Sequence, residues 1–113
     1  MLNARLAALD AAAVISVITE VELEGGLALG EGGAARRVRL DAFLSELDIL
    51  PFSSAEAKAY RGILQRTAYS RRKVTDRMIA ATALAAGRSV ATLNARDFAD
   101  IPDLSVDDWS VPA

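Results

Sequence analysis

Asp76-Arg77-Met78-Ile79-Ala80-Ala81-Thr82-Ala83-Leu84-Ala85-Ala86-Gly87-Arg88-Ser89-Val90-Ala91-Thr92-Leu93-Asn94-Ala95-Arg96-Asp97-Phe98 carries the clearest structural pattern of the chain. It reads as a helix with an acid in its first turn, a glycine stop, a short apolar strand, and then two more oxygen-bearing side chains. The helix from Asp76 to Ala86 spans roughly 16 Å. The strand from Arg88 to Leu93 runs back over roughly 20 Å. Asn94 and Asp97 should therefore return to about the level of Asp76. Two carboxylates and an amide then converge at one edge of a sheet, a donor set that suits a hard cation.

Upstream of this block, Ser53-Ser54-Ala55-Glu56 has the spacing of a capping box. It predicts a helix to about Ala68, buried through Ala57, Tyr60, Ile63, Leu64 and Thr67. A basic loop over 69–73 leads into a helix over 75–86. Further back, Ile49-Leu50-Pro51-Phe52 reads as a short strand closed by proline. A helix from Ala34 to Leu47 carries Val38, Leu40, Phe43, Leu44 and Leu47 on its apolar face. Residues 12–18 form a β-branched run expected of a strand buried on both faces. Thr19 is placed to cap the next helix, with Glu20, Glu22 and Glu24 in its first turns. Gly25 and Gly26 weaken that helix, and Gly30, Gly32 and Gly33 end it. Residues 4–11 are helical in composition. Downstream, a turn around 95–99 precedes a last strand at 104–106.

Strands alternating with helices predict an α/β fold with a mainly parallel sheet. Ligands of such sheets gather beyond the carboxyl ends of the strands. Glu22 follows the strand over 12–18, Asn94 and Asp97 follow the strand over 88–93, and Asp76 opens the helix leading into it. The acids therefore share one rim. Oxygen donors of this kind suit Mg²⁺ or Mn²⁺ better than Zn²⁺. Each residue also has an ordinary structural reading. Asp76 is favoured by the helix dipole, Glu22 is one of three early glutamates, and Asn94 and Asp97 are common turn formers.

The chain of 113 residues is 52% hydrophobic, enough for the core of the single domain expected over 1–113. No apolar run reaches the ~18–20 residues of a membrane span, and no secretory signal pattern opens the chain. The expectation is a cytoplasmic protein with no membrane association. There is no cysteine and no histidine. A disulfide framework, a thiolate nucleophile, a Cys/His zinc site and a histidine general base are thereby excluded. Any chemistry must come from carboxylates, hydroxyls, amines or a bound cofactor. The net charge of −2 is unevenly spread. Arg71, Arg72, Lys73, Arg77, Arg88 and Arg96 crowd 71–96 against Asp76 alone, whereas Asp97, Asp100, Asp103, Asp107 and Asp108 have no base following them in sequence. A basic zone beside an acidic site suits a polyanion bridged by metal. A solvated loop and tail would have the same composition.

These motifs resemble the PIN domain, and most of all the VapC-type ribonuclease toxins of bacterial toxin–antitoxin pairs. Ser16-Val17-Ile18-Thr19-x-x-Glu22-Leu23 is similar to that family's second acidic motif. Asp76-x-x-Ile79-Ala80-Ala81-Thr82-Ala83 resembles the third, and Thr92-x-Asn94-x-x-Asp97-Phe98 the fourth. Ile101-Pro102-x-Leu104 with Trp109 is similar to the usual ending. The resemblance implies a three-layer α/β/α fold and a Mg²⁺- or Mn²⁺-dependent endoribonuclease. Glu22, Asp76 and Asp97 would bind metal, and Asn94 would assist. Thr92 would orient a neighbouring carboxylate, and Arg72 and Lys73 would hold RNA phosphate. It also implies a homodimer silenced by a small antitoxin whose tail enters the acidic groove.

The family pattern begins with an apolar strand ending in an aspartate, and no segment of this chain matches it. Asp10 precedes Glu22 but lies in a helical segment and does not fit the role. The expectation is a domain lacking its central strand and one metal-binding acid, and so a weak or inactive nuclease. The rival function is a catalytically impaired PIN remnant that binds an antitoxin or RNA. A receiver-like or nucleotide-binding domain fits poorly, because Gly30-Glu31-Gly32-Gly33 follows a helix and not a strand.

Overall fold

The computed structural model describes residues 14–30 and 32–110. The predicted helix over 4–11, the start of the strand over 12–18, and Asp10 lie outside the described residues. The chain divides into two compact units, Met1–Leu50 and Pro51–Ala113.

In the first unit, β1 (Val14–Ser16) is followed at once by α1 (Val17–Leu29), α2 (Gly33–Ser45) and β2 (Asp48–Leu50). β1 and β2 pair in parallel, with Ile15 opposite Ile49. The predicted strand over 12–18 is thus shorter, and its last two residues enter the helix. Ser16, not Thr19, is the cap: its hydroxyl accepts the Ile18 N–H at 3.0 Å. A serine that ends a strand and captures an amide two residues on starts the helix early, overriding the β preference of Val17 and Ile18. Glu24 makes a two-pronged ion pair with Arg37, at 2.7 and 2.8 Å, and Arg37 also reaches Asp41. Hydrogen bonding from Arg37 holds the Glu24 carboxyl below the ordinary carboxylate range. The apolar face predicted for α2 is only half covered: Leu40, Leu44 and Leu47 are half-buried, whereas Val38 and Phe43 are exposed. Periodicity finds such a stripe but does not say what covers it.

In the second unit, α3 (Ser54–Arg66) and α4 (Val74–Ala86) flank a 3₁₀ turn at Arg71–Lys73. β3 (Val90–Thr92), a 3₁₀ turn at Ala95–Phe98 and β4 (Val106–Asp108) follow. β3 and β4 pair in parallel, Val90 opposite Val106 and Thr92 opposite Asp108. Among the described residues the strands form two two-stranded parallel pairs. Both strands of the second pair differ from expectation. β3 is three residues long instead of six, and β4 begins at Val106 instead of Leu104.

The core of this unit gathers Ile63 of α3, Ala80, Ala81 and Ala83 of α4, Val90, Phe98 and Ile101. Ala80 and Ala81 are fully buried. Their small side chains let neighbouring elements approach α4 closely. Ala57, predicted inside, is exposed, and Ala59 packs on the core instead. Residue 57 lies six positions before Ile63, which at 100° per residue puts it about 120° off the buried stripe. Gly87 ends α4 at φ 66°, ψ 36°, the left-handed cap conformation that glycine adopts without Cβ strain.

The capping box forms as predicted. The Glu56 carboxylate accepts both the Ser53 backbone N–H and its hydroxyl at 2.7 Å. These bonds from Ser53 lower the Glu56 carboxyl below its ordinary value of 4.5. For an acid with a depressed folded-state value, the stabilisation is complete above the ordinary value. It is lost as pH falls through the depressed one. Glu56→Ala is therefore expected to melt below the parent chain at neutral pH, with the gap closing in acid. Thermal melts across pH check this; a gap unchanged down to about pH 2 would contradict it.

Candidate functional site

Asp76 is the third residue of α4 and sits half-buried on its first turn. The neighbouring stripe of α4, through Arg77, Ala80 and Ala81, turns into the core, which leaves Asp76 at the margin of the buried face. Asp97 lies on the 3₁₀ turn after β3, anchored by the buried ring of Phe98. The Asp97 carboxylate is near enough for its charge to act on Asp76. Burial and the Asp97 charge push the Asp76 carboxyl above its ordinary value of 3.8, and Lys73 offsets this in part. Of the residues expected to converge from helix and strand lengths, Asp76 and Asp97 are thus placed near one another.

Asn94 opens the 3₁₀ turn, and its side chain makes no capping bond there. The turn is held by backbone instead: Asn94 N–H donates to the Thr92 hydroxyl oxygen at 2.9 Å, and Asp97 N–H donates to the Asn94 carbonyl at 3.0 Å. Thr92 therefore positions the turn that carries Asn94, whereas the expected role was to orient a carboxylate. The Asn94 amide is left exposed on an open depression of about 390 Å³, lined also by Arg96, Asp97, Asp108 and Ser110. Asp108 was not anticipated there. The Thr92–Asp108 register brings it in, and a β4 displaced by two residues hid it. Asp108 accepts the Ser110 N–H and hydroxyl.

The basic zone is rearranged relative to the sequence reading. Arg77 is 3% exposed and donates to the Ala68 carbonyl and to Asp100. Lys73 also donates to Asp100, at 3.1 Å, and Arg66 pairs with Asp103 at 2.8 Å. So Asp100 and Asp103 do face bases, and Arg77 is a core residue rather than part of a basic surface. Sequence carried a signal for this: residue 77 stands three and four positions before Ala80 and Ala81, on the buried stripe. Arg72 is exposed. Glu22 is exposed on the second turn of α1, in the first unit. Among the described residues no group of three acids is gathered as a metal cluster.

The donors nonetheless suit a divalent cation. Mg²⁺ needs only one or two carboxylates and keeps several waters. Among the described residues, Lys73 is the group that offsets the cost of the Asp76 charge. Two like charges held together in this way are what a cation relieves. The raised Asp76 value makes its charge a liability in the folded chain. That liability is absent below the ordinary value of 3.8 and sets in as pH rises through the raised one. A carboxyl-detected NMR titration is expected to place Asp76 above 3.8, and Asp97→Asn is expected to move it back down. An Asp76 midpoint indifferent to Asp97→Asn would contradict the pairing.

An α/β chain with parallel strand pairs and an acid on a helix N-terminus beside an Asn-x-x-Asp turn has the elements of a PIN domain. The PIN-domain family profile matches residues 2–104, and the chain belongs to that family. It is 31% identical over 110 residues to ribonuclease VapC2 of Rickettsia felis, covering 95% of this chain and 81% of that one. The crystal structure of VapBC2 from Rickettsia felis bound to a DNA fragment from their promoter superposes with a TM-score of 0.79 at 28% identity, over 95% of this chain and 82% of that one. DNA-bound VapBC from Salmonella typhimurium superposes with a TM-score of 0.72 at 30% identity, over 83% and 73%. The PIN-like α/β reading and the VapC-type likeness are thereby borne out. No described helix is long and apolar enough to cross a membrane.

Proposed function

We propose that this chain is a Mg²⁺- or Mn²⁺-dependent endoribonuclease, the toxin of a bacterial toxin–antitoxin pair. The observation that supports the reading is the placement of Asp76, half-buried on the first turn of α4, beside the Asp97 carboxylate, where burial and the Asp97 charge together disfavour its ionised form. Likeness to a ribonuclease of VapC type supports the same activity. Asp76 and Asp97 would hold the metal, and the exposed Asn94 amide would orient a phosphate oxygen or a water; the role of Glu22 rests on the likeness of its motif alone. A bound divalent ion supplies Lewis acidity, making water a better nucleophile and neutralising charge on the phosphate. Arg72 receives RNA phosphate. Lys73, shared between Asp100 and the field of Asp76, keeps positive charge beside the pair.

Partners follow from the same reading. The relatives of known structure are VapBC complexes, so a small cognate antitoxin is proposed here, along with a homodimer and a cytoplasmic location. Exposed Val21, Leu29, Val38 and Phe43 offer apolar surface for protein contact. The test is RNA cleavage by the purified chain with Mg²⁺, against the same reaction in chelator.

A second reading has its own observation. Two acids, not three, come together in the second unit, and among the described residues no three-acid cluster forms. The alternative is a module that binds antitoxin or RNA with little turnover. RNA binding without Mg²⁺-dependent cleavage would select it.

A further inference from the structure

We infer that Tyr69, with Arg71 and Arg72, forms a docking platform for single-stranded RNA beside the acid pair. The inference rests on the ribonuclease reading and names how that site takes its substrate. Tyr69 is 66% exposed, the most exposed aromatic side chain among the described residues. An aromatic ring left so open loses the burial that normally holds it in a core, and it offers a π-face to a base.

The ring stands on an ordered backbone. Arg77, itself buried, donates to the carbonyl of Ala68, the residue before Tyr69. Thr67 caps α3, its hydroxyl donating to the Ile63 carbonyl at 2.9 Å. On the other side, Ser70 is extended and opens the 3₁₀ turn of Arg71–Lys73. Tyr69 is thus presented by a segment fixed at both ends, which lowers the ordering cost of binding.

Charge singles out the same segment. The cations around it fall into two groups. Lys73 and Arg77 are committed to Asp100. Arg71 and Arg72 are exposed, and no ion pair engages them among the described residues. Two uncommitted guanidinium groups next to an open ring match a nucleic-acid strand, whose phosphates and bases alternate. The run from Tyr69 to Asp76 covers at most about 15 Å, so a base a few nucleotides from a reacting phosphate at the acid pair is within reach of Tyr69. A duplex keeps its bases stacked on one another and has no free face to give, which restricts the platform to single strands.

The test is fluorescence anisotropy of a labelled single-stranded RNA of about eight nucleotides, titrated with the full chain in chelator so that no cleavage intervenes. Tyr69→Ala is expected to weaken binding about 10-fold, and Tyr69→Trp to restore it. Arg71→Gln with Arg72→Gln is expected to flatten the logarithmic salt dependence by about 1.4. Duplex RNA is expected to be indifferent to Tyr69. Circular dichroism melts confirm that these exposed variants fold. Tyr69→Ala binding as tightly as the parent, or equal losses in the Ala and Trp variants, would overturn the platform and leave Tyr69 to a protein contact. The ribonuclease reading is judged separately. Tyr69-dependent binding without Mg²⁺-dependent cleavage sinks that reading alone, cleavage without Tyr69-dependent binding sinks the platform alone, and absence of both sinks the two together.

Discussion

Asp76→Asn is expected to reduce Mg²⁺-dependent RNA cleavage by about 100-fold or more, with little change in melting temperature. The size follows from the role. A metal at a phosphate supplies several kcal/mol of transition-state stabilisation, and each ~1.4 kcal/mol is tenfold in rate. The substitution keeps the shape of the side chain and removes one anionic ligand. Stability should barely move because two effects oppose. The first-turn acid loses its favourable interaction with the helix dipole, while the cost of burying its charge and the repulsion from Asp97 disappear, so any small change at neutral pH should be a gain. Asp97→Asn should act in the same direction, because its carboxylate completes the pair. Steady-state cleavage assays with a melting curve for each variant separate lost chemistry from lost fold. Cleavage within about twofold of the parent would mean that this acid does not serve the reaction.

Phe98→Ala is expected to cost about 3–5 kcal/mol of stability. For a domain of this length that is a drop in melting temperature of roughly 12–20 °C. Phe98 is 5% exposed and belongs to the cluster of Ile63, Ala80, Ala81, Val90 and Ile101. It is also the last residue of the turn that carries Asp97. The ring is the anchor by which the core holds an otherwise exposed acid in place. Phe98→Leu, which keeps most of the apolar volume, should lose much less and retain more activity. Differential scanning calorimetry decides the matter, and a drop of less than about 3 °C would show that the turn is held by something else.

What was legible in the sequence was local. Gly87 stops α4 because only a left-handed residue closes that turn, and a glycine at the end of an apolar helix announces it. Ser53 and Glu56 form their box because both partners lie within one turn. The meeting of Asp76 and Asp97 was legible for a related reason: a helix and a returning strand of known rise leave few places for the next turn. β3 is half the expected length, but residues 88, 89 and 93 still link it to α4 and to the 3₁₀ turn, so the chain returns over the same number of residues.

What was not legible depended on partners far away in sequence. Arg77 read as one more basic residue, yet its guanidinium meets Ala68 and Asp100 only after α4 has packed. Asp108 joins the depression through a strand register that no local pattern specifies. Val38 and Phe43 carry the right period for a buried face and are exposed, since periodicity describes a helix and is silent about its neighbours. Thr19 lost the capping role to Ser16 because a cap is decided by where the preceding strand ends.

Asp76 and Asp97 are proposed to form a metal-dependent site for RNA hydrolysis. The most direct measurement is the rate of RNA cleavage by the purified 113-residue chain as Mg²⁺ is titrated in after treatment with chelator, run beside Asp97→Asn. Cleavage should rise from background with Mg²⁺, saturate, and be absent from the variant. Cleavage that persists in chelator, cleavage equal in the variant, or no cleavage at any Mg²⁺ concentration would contradict that proposal.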